Sequence, residues 1–293
     1  MIMVSVEDYL KALMHIEFDG QQATTSGIAS RLSVSSASIT EMTRRLSEEG
    51  LVKHTPYKPV FLTKKGRELA VQVVRRHRIW EMFLHKVLKL SWDQVHDEAE
   101  KLEHCSSDSL IDSIDAYLGK PQFDPHGDPI PDKEGIFPDI PGSKPLSECQ
   151  IGDMYSIVRV KDRSKDLMEY FSDFGFYLGK NIFLHHKLKD DQSLVVELGQ
   201  QKTVVSNFIA SNVEVVKAKT LEDMKIHEKG IVDEVHAKGM LRSRLLDLGF
   251  TSGTEIEKTM VAPSGDPSSF RIRNTTIALR NDEARKILLK NGR

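Results

Sequence analysis

Apolar residues recur at three- and four-residue intervals near the start of the chain: Tyr9, Leu10, Leu13, Met14, then Ile16 to Phe18 in YLKALMHIEF. That spacing lines one face of a helix. TTSGIASRLS supplies capping hydroxyls before a short second helix holding Ile28, Ala29 and Leu32. VSSASITEMTRRLSEEG predicts a third, with Ile39, Met42 and Leu46 inward and Gly50 as its stop. The period then changes. LVKHTPYKPVFLTKKG reads as two short strands around a turn at residues 56–59. An amphipathic helix follows in VVRRHRIWEMFLHKVL, through Val74, Ile79, Phe83, Leu84, Val87 and Leu88. SWDQVHDEAEKLEHCSS opens on a capping serine, Ser91. DSLIDSIDAYLG turns Leu110, Ile111, Ile114 and Leu118 inward and stops at Gly119. KPQFDPHGDPIPDKEG is a Pro- and Gly-rich loop.

The second half repeats itself. YFSDFGFYLGKNIFL (170–184) and RLLDLGFTSGTEIEK (244–258) share the pattern apolar-x-Asp-apolar-Gly-Phe-x-x-Gly-x-x-Ile, 74 residues apart. Short alternating stretches follow each: SLVVEL and KTVVSNFI in one unit, SFRIRNTTIALRNDEARKILL in the other. Strand, short helix, Gly turns and further strands, twice over, predict two small β-barrels in tandem. Asp173 and Asp247, at equivalent repeat positions, read as turn or capping residues.

Composition sets outer limits. At 293 residues, with 39% hydrophobic and 29% charged, the chain reads as globular with several domains. It has no apolar run long enough to span a membrane. MIMVSVEDYLKALMH places Glu7 and Asp8 where a secretory leader is basic. Cys105 and Cys149 are the only cysteines, which argues against a disulfide scaffold and fits a reducing cytoplasm. The net charge of −2 is uneven: +4 over residues 1–80, −9 over 81–141 and +3 beyond. A basic head beside an acidic middle suggests an anion partner for one and a cation partner for the other.

Helix, short helix, turn, helix and β-hairpin make a winged helix-turn-helix. In that motif the N-terminal residues of the second helix of the pair meet base edges in the DNA major groove. Here those are Ser35, Ser36, Ala37, Ser38 and Thr40. They are small, so close approach is sterically possible, and hydroxyls at a helix start suit phosphate oxygens. Arg44, Arg45, Lys53, Lys58, Lys64 and Lys65 add attraction that ignores sequence. Glu41 lies on the same helix and can accept from a cytosine amine. A winged helix used for protein contacts is the alternative.

The acidic middle carries a second signal. His96, Glu100, Glu103 and His104 stand at i, i+4, i+7 and i+8, on one helix face. Imidazole and carboxylate together are a metal-ligand set, though a solvated acidic face has the same pattern. His77 and Glu81 form another i, i+4 pair, and Asp124 and His126 sit together in the Pro/Gly loop. The plain readings are a helix-capping His77 and a satisfied loop His126. Cys105 falls off the ligand face and reads as a small buried residue.

VEDYLKAL, RRHRIWE, QVHDEAEKLEH and the PHGDPIP loop, in this order, resemble the diphtheria toxin repressor and manganese transport regulator family. The resemblance is continuous over roughly residues 3–142 and looser beyond; the repeated units resemble the SH3-like FeoA domain. It implies an α+β multidomain fold. A winged helix-turn-helix DNA-binding domain would occupy 1–74, and an all-α dimerisation and metal-binding domain 75–142. Two FeoA/SH3-like β-barrels would occupy 148–218 and 219–293.

Carried over residue by residue, the resemblance implies one metal site at Asp8, Glu100, Glu103 and His104, and a second at His77, Glu81 and His96. Asp124, His126 and Asp162 match further ligands from the loop and the first barrel. Iron sensors of the family place methionine and cysteine where this chain has Asp8 and Glu100. Harder carboxylates favour Mn²⁺ over Fe²⁺, with two ions per chain. One departure stands out: some manganese members carry a second acid where this chain has Lys11. The closely spaced two-manganese layout that uses this acid is therefore not expected here.

The expected function is a metal-dependent transcriptional repressor of metal-uptake genes, acting as a homodimer on a palindromic operator of double-stranded DNA. Ile111, Ile114 and Leu118 would pack the dimer core. The second barrel could contact the DNA-binding domain and restrain the metal-free form. The alternatives are an iron-dependent repressor of the same family and a winged-helix regulator of another ligand. A metallohydrolase fits poorly, because no separate nucleophile, Gly-rich loop or acid pair stands out, and no catalytic residue is assigned.

Overall fold

The computed structural model describes residues 5–56, 58–139, 142–161, 165–199 and 201–290. Two compact units divide the chain, residues 1–140 with 163–172 and residues 141–162 with 173–293. Among the described residues no helix is long and apolar enough to cross a membrane.

α1 (Val6–Phe18) opens the first unit. Ser5 caps it: Ser5 Oγ accepts from the Asp8 backbone N–H at 3.0 Å, and Asp8 Oδ2 accepts from the Ser5 N–H at 3.1 Å. This reciprocal box satisfies two donors of the helix start and pins the Asp8 carboxyl in the first turn. α2 (Thr25–Arg31) and α3 (Ser36–Glu48) follow, capped by Thr24 and Ser35. β1 (Val52–Lys53) and β2 (Phe61–Leu62) pair antiparallel, with Val52 opposite Leu62. Leu10, Leu13, Ile28, Ile39, Leu46 and Val74 share one core among these elements, as a winged helix-turn-helix requires.

α4 (Lys64–Lys86) is a continuous helix of 23 residues that serves two cores. Its first half gives Ala70, Val71 and Val74 to the winged-helix core. Its second half gives Ile79 to a cluster with Ile111, Ile114, Leu118 and Ile130. α5 (Trp92–Glu103) and α6 (Asp108–Leu118) pack against this half. The expectation that Ile111, Ile114 and Leu118 form the dimer core is corrected here. Their own chain buries them, so they are not available to a partner. The outward apolar residues of α6 are Leu110 and Tyr117, the latter 72% exposed. Cys105 is exposed, not buried.

The tandem repeat lies in the second unit except for most of α7, which belongs to the first. β3 (Lys144–Pro145), β4 (Met154–Val160), α7 (Lys165–Phe174), β5 (Asn181–Lys187), β6 (Leu194–Leu198), β7 (Gln201–Val205), α8 (Asn207–Asn212) and β8 (Val213–Lys217) run through the first copy. β9 (Lys229–Val235), α9 (Gly239–Asp247), β10 (Glu255–Val261), β11 (Ser268–Ile272), β12 (Thr275–Leu279), α10 (Asn281–Ala284) and β13 (Ile287–Leu289) form the second. The strand orders match: β8-β4-β5-β6-β7, extended by β3, and β13-β9-β10-β11-β12. The last strand returns beside the first in both, which curls each sheet towards a small barrel.

The junction between copies is polar. Glu197 on β6 is buried, accepts from His185 Nε2 at 2.7 Å and lies 2.8 Å from Lys238 Nζ of the second copy. Phe183 stacks on His236 with centroids 5.3 Å apart, and Asn181 donates to Asp233 at 2.9 Å.

One glycine sets how closely α4 approaches the wing. A Cβ on Gly66 would lie 1.9 Å from the Leu51 carbonyl oxygen, which itself accepts from the Thr63 N–H at 3.0 Å. Gly66→Ala is therefore expected to cost about 1–3 kcal/mol, the usual range for forced overpacking. A urea denaturation midpoint equal to that of the wild type would show that the approach is not tight.

Candidate metal centre and nucleic-acid interface

Three helices converge on a cluster of carboxylates and imidazoles. α1 brings Asp8, α4 brings His77 and Glu81, and α5 brings His96, Glu100 and Glu103, with His104 as its C-cap residue. The i, i+4, i+7 spacing on α5 turns its three ligand-type side chains towards the other two helices.

Glu103 sits at the centre, wholly buried. Its Oε1 accepts from Lys11 Nζ at 2.6 Å and lies 3.3 Å from His104 Nε2. Its Oε2 is 2.5 Å from His77 Nδ1. Glu100 Oε1 accepts from the same Lys11 ammonium at 2.6 Å. His104 Nε2 is 2.9 Å from Asp8 Oδ1, and its Nδ1 is 2.5 Å from Glu7 Oε2. Across the ring, His77 Nε2 lies 3.0 Å from Glu81 Oε1 and 3.1 Å from His96 Nδ1.

The loop after α6 closes the far side. Asp124 Oδ1 accepts from the backbone N–H groups of His126 and Asp128, at 2.8 and 2.9 Å. That turn buries Asp124 and His126 and places His126 Nδ1 3.8 Å from Glu81 Oε2 and 3.9 Å from Asp124 Oδ1. Arg78, also buried, donates to the Pro129 carbonyl and lies 5.9 Å from the ring centres of Phe18 and Phe137. It holds the loop against α4.

Charge states follow from these contacts. Burial works against the Asp8 carboxylate, but the Ser5 hydrogen bonds, His104 and Lys11 outweigh it and hold its pKa below the usual value. Burial likewise works against Glu100, and Lys11 reverses it. Burial disfavours the Lys11 ammonium, yet Glu103 and Glu100 raise its pKa. For His77 burial favours the neutral ring, and Glu81 and Glu103 overcome that, so its pKa is raised. His104 is raised as well, against burial, by Glu7, Glu103 and Asp8.

The donor set fits divalent ions. Three groups each offer ligand atoms lying within 4.8 Å of one another: Asp8, Glu100, Glu103 and His104; His77, His96 and Glu100; Glu81, Asp124 and His126. Asp8 Oδ1 is buried without a hydrogen bond of proper geometry although His104 Nε2 is 2.9 Å away. Two ligand atoms that close, not aimed at each other, suit a shared cation. All donors are oxygen or nitrogen, the choice of harder ions such as Mn²⁺ and Fe²⁺.

Nine of the ten ligand candidates read from the sequence are thus brought together. Asp162 lies outside the described residues. The loop pair joins Glu81, while His77 and His96 group with Glu100. Sequence reasoning missed Glu7, which steadies His104, and Arg78, which positions the loop. Glu7 gave a faint signal as the neighbour of Asp8; Arg78 gave one as a cation on the buried face of its helix.

On α3, Ser35, Ser36, Ala37, Ser38 and Thr40 are all exposed. The Ser35 hydroxyl accepts from the Ser38 N–H at 3.2 Å, and Thr40 donates to the Ser36 carbonyl at 2.8 Å. Arg44 and Arg45 are exposed and pair along the helix with Glu48 and Glu49; Lys53 is exposed on the wing. Inside, the Tyr9 hydroxyl lies 2.5 Å from Thr43 Oγ1, both groups buried. α1 therefore touches the cluster of ligand-type side chains through Asp8 and α3 through the next residue.

Comparison with known proteins agrees with this construction. The family model for the iron dependent repressor N-terminal DNA binding domain matches residues 1–60. The model for the iron dependent repressor metal binding and dimerisation domain matches 63–132. The FeoA domain matches twice, at 144–217 and 219–291. Iron-dependent repressor IdeR of Mycobacterium tuberculosis is 31% identical over 180 residues, spanning 54% of this chain and 78% of that protein. The diphtheria toxin repressor of Corynebacterium diphtheriae is 32% identical over 127 residues, 43% of this chain and 56% of its own. A solved manganese-dependent transcriptional repressor in complex with manganese superimposes with a TM-score of 0.68 at 36% identity, over 73% of this chain and all of that one. The manganese regulator SloR gives 0.63 at 29%, over 73% and 98%. The chain thus belongs to the diphtheria toxin repressor family of metal-dependent, DNA-binding transcriptional repressors, and carries two FeoA domains in tandem.

Proposed function

We propose that this protein is a manganese-responsive repressor that binds a palindromic operator as a homodimer and controls metal-ion uptake genes. The observation that carries this reading is the double role of α1. Its Asp8 belongs to the ligand group of Glu100, Glu103 and His104, and its Tyr9 meets Thr43 of α3. A bound divalent ion would supply a fixed positive charge shared by carboxylates of α1 and α5. The chain's own residues do the rest. Asp8 fixes the start of α1, Tyr9 passes its position to α3, and Ser35, Ser36, Ala37, Ser38 and Thr40 face the groove. Arg44, Arg45 and Lys53 meet phosphates. Metal favours the DNA-competent arrangement only as far as it binds that arrangement more tightly.

Manganese is preferred because Asp8 and Glu100 put hard carboxylates where iron sensors of the family carry softer methionine and cysteine, and Cys105 is exposed and outside the ligand groups. Two ions per chain are expected, one in the Asp8 group and one around Glu81, Asp124 and His126, with His77 and His96 beside them. The second reading is an iron-dependent repressor, favoured by the names of the curated relatives. FeoA domains serve here as interaction modules, with no catalytic role.

Operator selection from random DNA, followed by binding with and without Mn²⁺, tests the reading directly. Wild-type affinity should rise 10-fold or more with Mn²⁺, in line with a coupling of about 1–3 kcal/mol. Glu103→Gln should lose that rise, while Thr43→Val should keep ion uptake but blunt the DNA response. Equal affinity with and without either metal would refute it.

Leu110 and Tyr117 on α6, with Phe83 of α4 6.5 Å from the Tyr117 ring, present the apolar surface for the second copy. Tyr117→Asp should shift the protein from dimer to monomer in light scattering. A variant still dimeric would place the contact elsewhere.

Stability should depend on pH with opposite signs in the two states. His77 and His104 have raised pKa values in the metal-free fold. Their stabilisation is fully present below the unfolded imidazole value of about 6.5 and is lost as pH rises through the raised values. Metal ligation needs neutral rings, so Mn²⁺ protection should grow over that same window. Melting temperatures measured across it, with and without Mn²⁺, should diverge as pH rises; parallel curves would count against ligation by these histidines.

A further inference from the structure

We propose that the Lys11 ammonium is a tethered cation. It stands between Glu100 and Glu103 where a further metal ion would otherwise lie, and so limits the helical cluster to two ions. This rests on the metal-responsive reading above and adds the number of ions and the residue that sets it.

Lys11 is a strange residue to find here. It is only 7% exposed, on the inner face of α1, one turn from Asp8. A lysine stem of that length ordinarily reaches water. This one turns inward, and its Nζ lies 2.6 Å from Glu100 Oε1 and 2.6 Å from Glu103 Oε1. Burying an ammonium is costly unless opposite charge surrounds it. Here two carboxylates do, and both are also ligand-group members.

The three ligand groups overlap at Glu100, which belongs both with Asp8, Glu103 and His104 and with His77 and His96. An ion held by His77, His96 and Glu100 would share that carboxylate with Lys11 and meet its positive charge. An ion of the Asp8 group draws on the same two carboxylates but adds Asp8 and His104, so four ligands offset the nearby ammonium, and an ion at Glu81, Asp124 and His126 touches neither carboxylate. Charge counting agrees. Asp8, Glu81, Glu100, Glu103 and Asp124 carry five negative charges among them. Two divalent ions and one ammonium balance these. Glu7 and Asp128 stand outside the count because Arg76 and Arg78 lie 3.4 and 3.8 Å from them. Replacing Lys11 by glutamate gives six negative charges, which three divalent ions balance.

The test is a count of bound Mn²⁺ per chain, from loss of the free-ion EPR signal, on full-length protein stripped of metal. Wild type and Lys11→Arg should each bind two, and Lys11→Glu three. Metal-free Lys11→Gln, which leaves Glu100 and Glu103 facing each other without a cation, should melt below wild type and regain that loss when Mn²⁺ is added. Two ions in both wild type and Lys11→Glu would overturn the tether and leave the sensor reading standing. Three in wild type would do the same. No tight ion in wild type would overturn the sensor reading and the tether with it. If Lys11→Glu does not fold without metal, the Lys11→Gln melting curves decide: a metal-free melting temperature equal to wild type overturns the tether.

Discussion

A carboxylate with no access to water cannot stay charged alone, and Glu103 is such a carboxylate. Everything around it answers that constraint. Lys11 comes from α1, His77 from α4, and His104 from the end of its own helix. Each is within 3.3 Å, so three helices are held by one anion. The apolar contacts of α1 and α4 fix which faces meet, but they leave freedom to slide or rotate. The charged contacts remove it, because a shift that separates Glu103 from its partners exposes an unpaired charge to an apolar interior. Breaking such a pair costs about 3–5 kcal/mol, well above the net value of the pair itself. The arrangement thus gives position more than stability.

In the proposed function, that positional role is how a small ion would matter to DNA. α1 is short and packed, and two neighbouring residues near its start have different duties. Its first turn carries Asp8, fixed by the Ser5 box; the next residue, Tyr9, points into the winged-helix core and reaches Thr43. A change in where Asp8 settles cannot be absorbed by bending over so few residues. On the proposed reading it would move Tyr9, and through Thr43 the helix α3. Lys11 links α1 to α5 through Glu100 and Glu103, so charge already holds the two helices together. An ion at Asp8 then acts on a nearly formed interface, and differential affinity need only be modest.

Much of this was legible in the sequence, for identifiable reasons. Helical spacing placed His96, Glu100 and Glu103 on one face, because that depends only on residues per turn. The 74-residue repeat declared two copies of one barrel, because its glycines and apolar positions recur in register. What could not be read was which of two apolar partners a face would choose. Ile111, Ile114 and Leu118 have the spacing of a buried stripe whether the cover is another chain or α4; only the fold shows that Ile79 and Ile130 take them. Cys105 was misread because the turn just after α5 leaves it in solvent. Lys11 was visible as a departure from an acidic position. That its ammonium would turn inward was not, since lysine at that spacing serves equally well on a solvated face.

The two barrels show the same division between what a pattern dictates and what a neighbour dictates. Inward positions correspond: Ile182 with Ile256, Phe176 with Phe250, Val205 with Leu279, Ala210 with Ala284, Val213 with Ile287, all buried in both copies. A closed sheet of this order needs an apolar residue at each of them. Position 197 is different. In the first copy it is a buried glutamate meeting His185 and Lys238. In the second copy the equivalent residue, 74 positions on, is Arg271, exposed and paired with Glu257. The fold alone would accept a polar, solvent-facing side chain at both. Only the copy that meets the other barrel at this strand has turned it into an anion for its neighbour's lysine. Repeats that begin alike therefore differ where they touch, and the residues that depart from the repeat mark the junction.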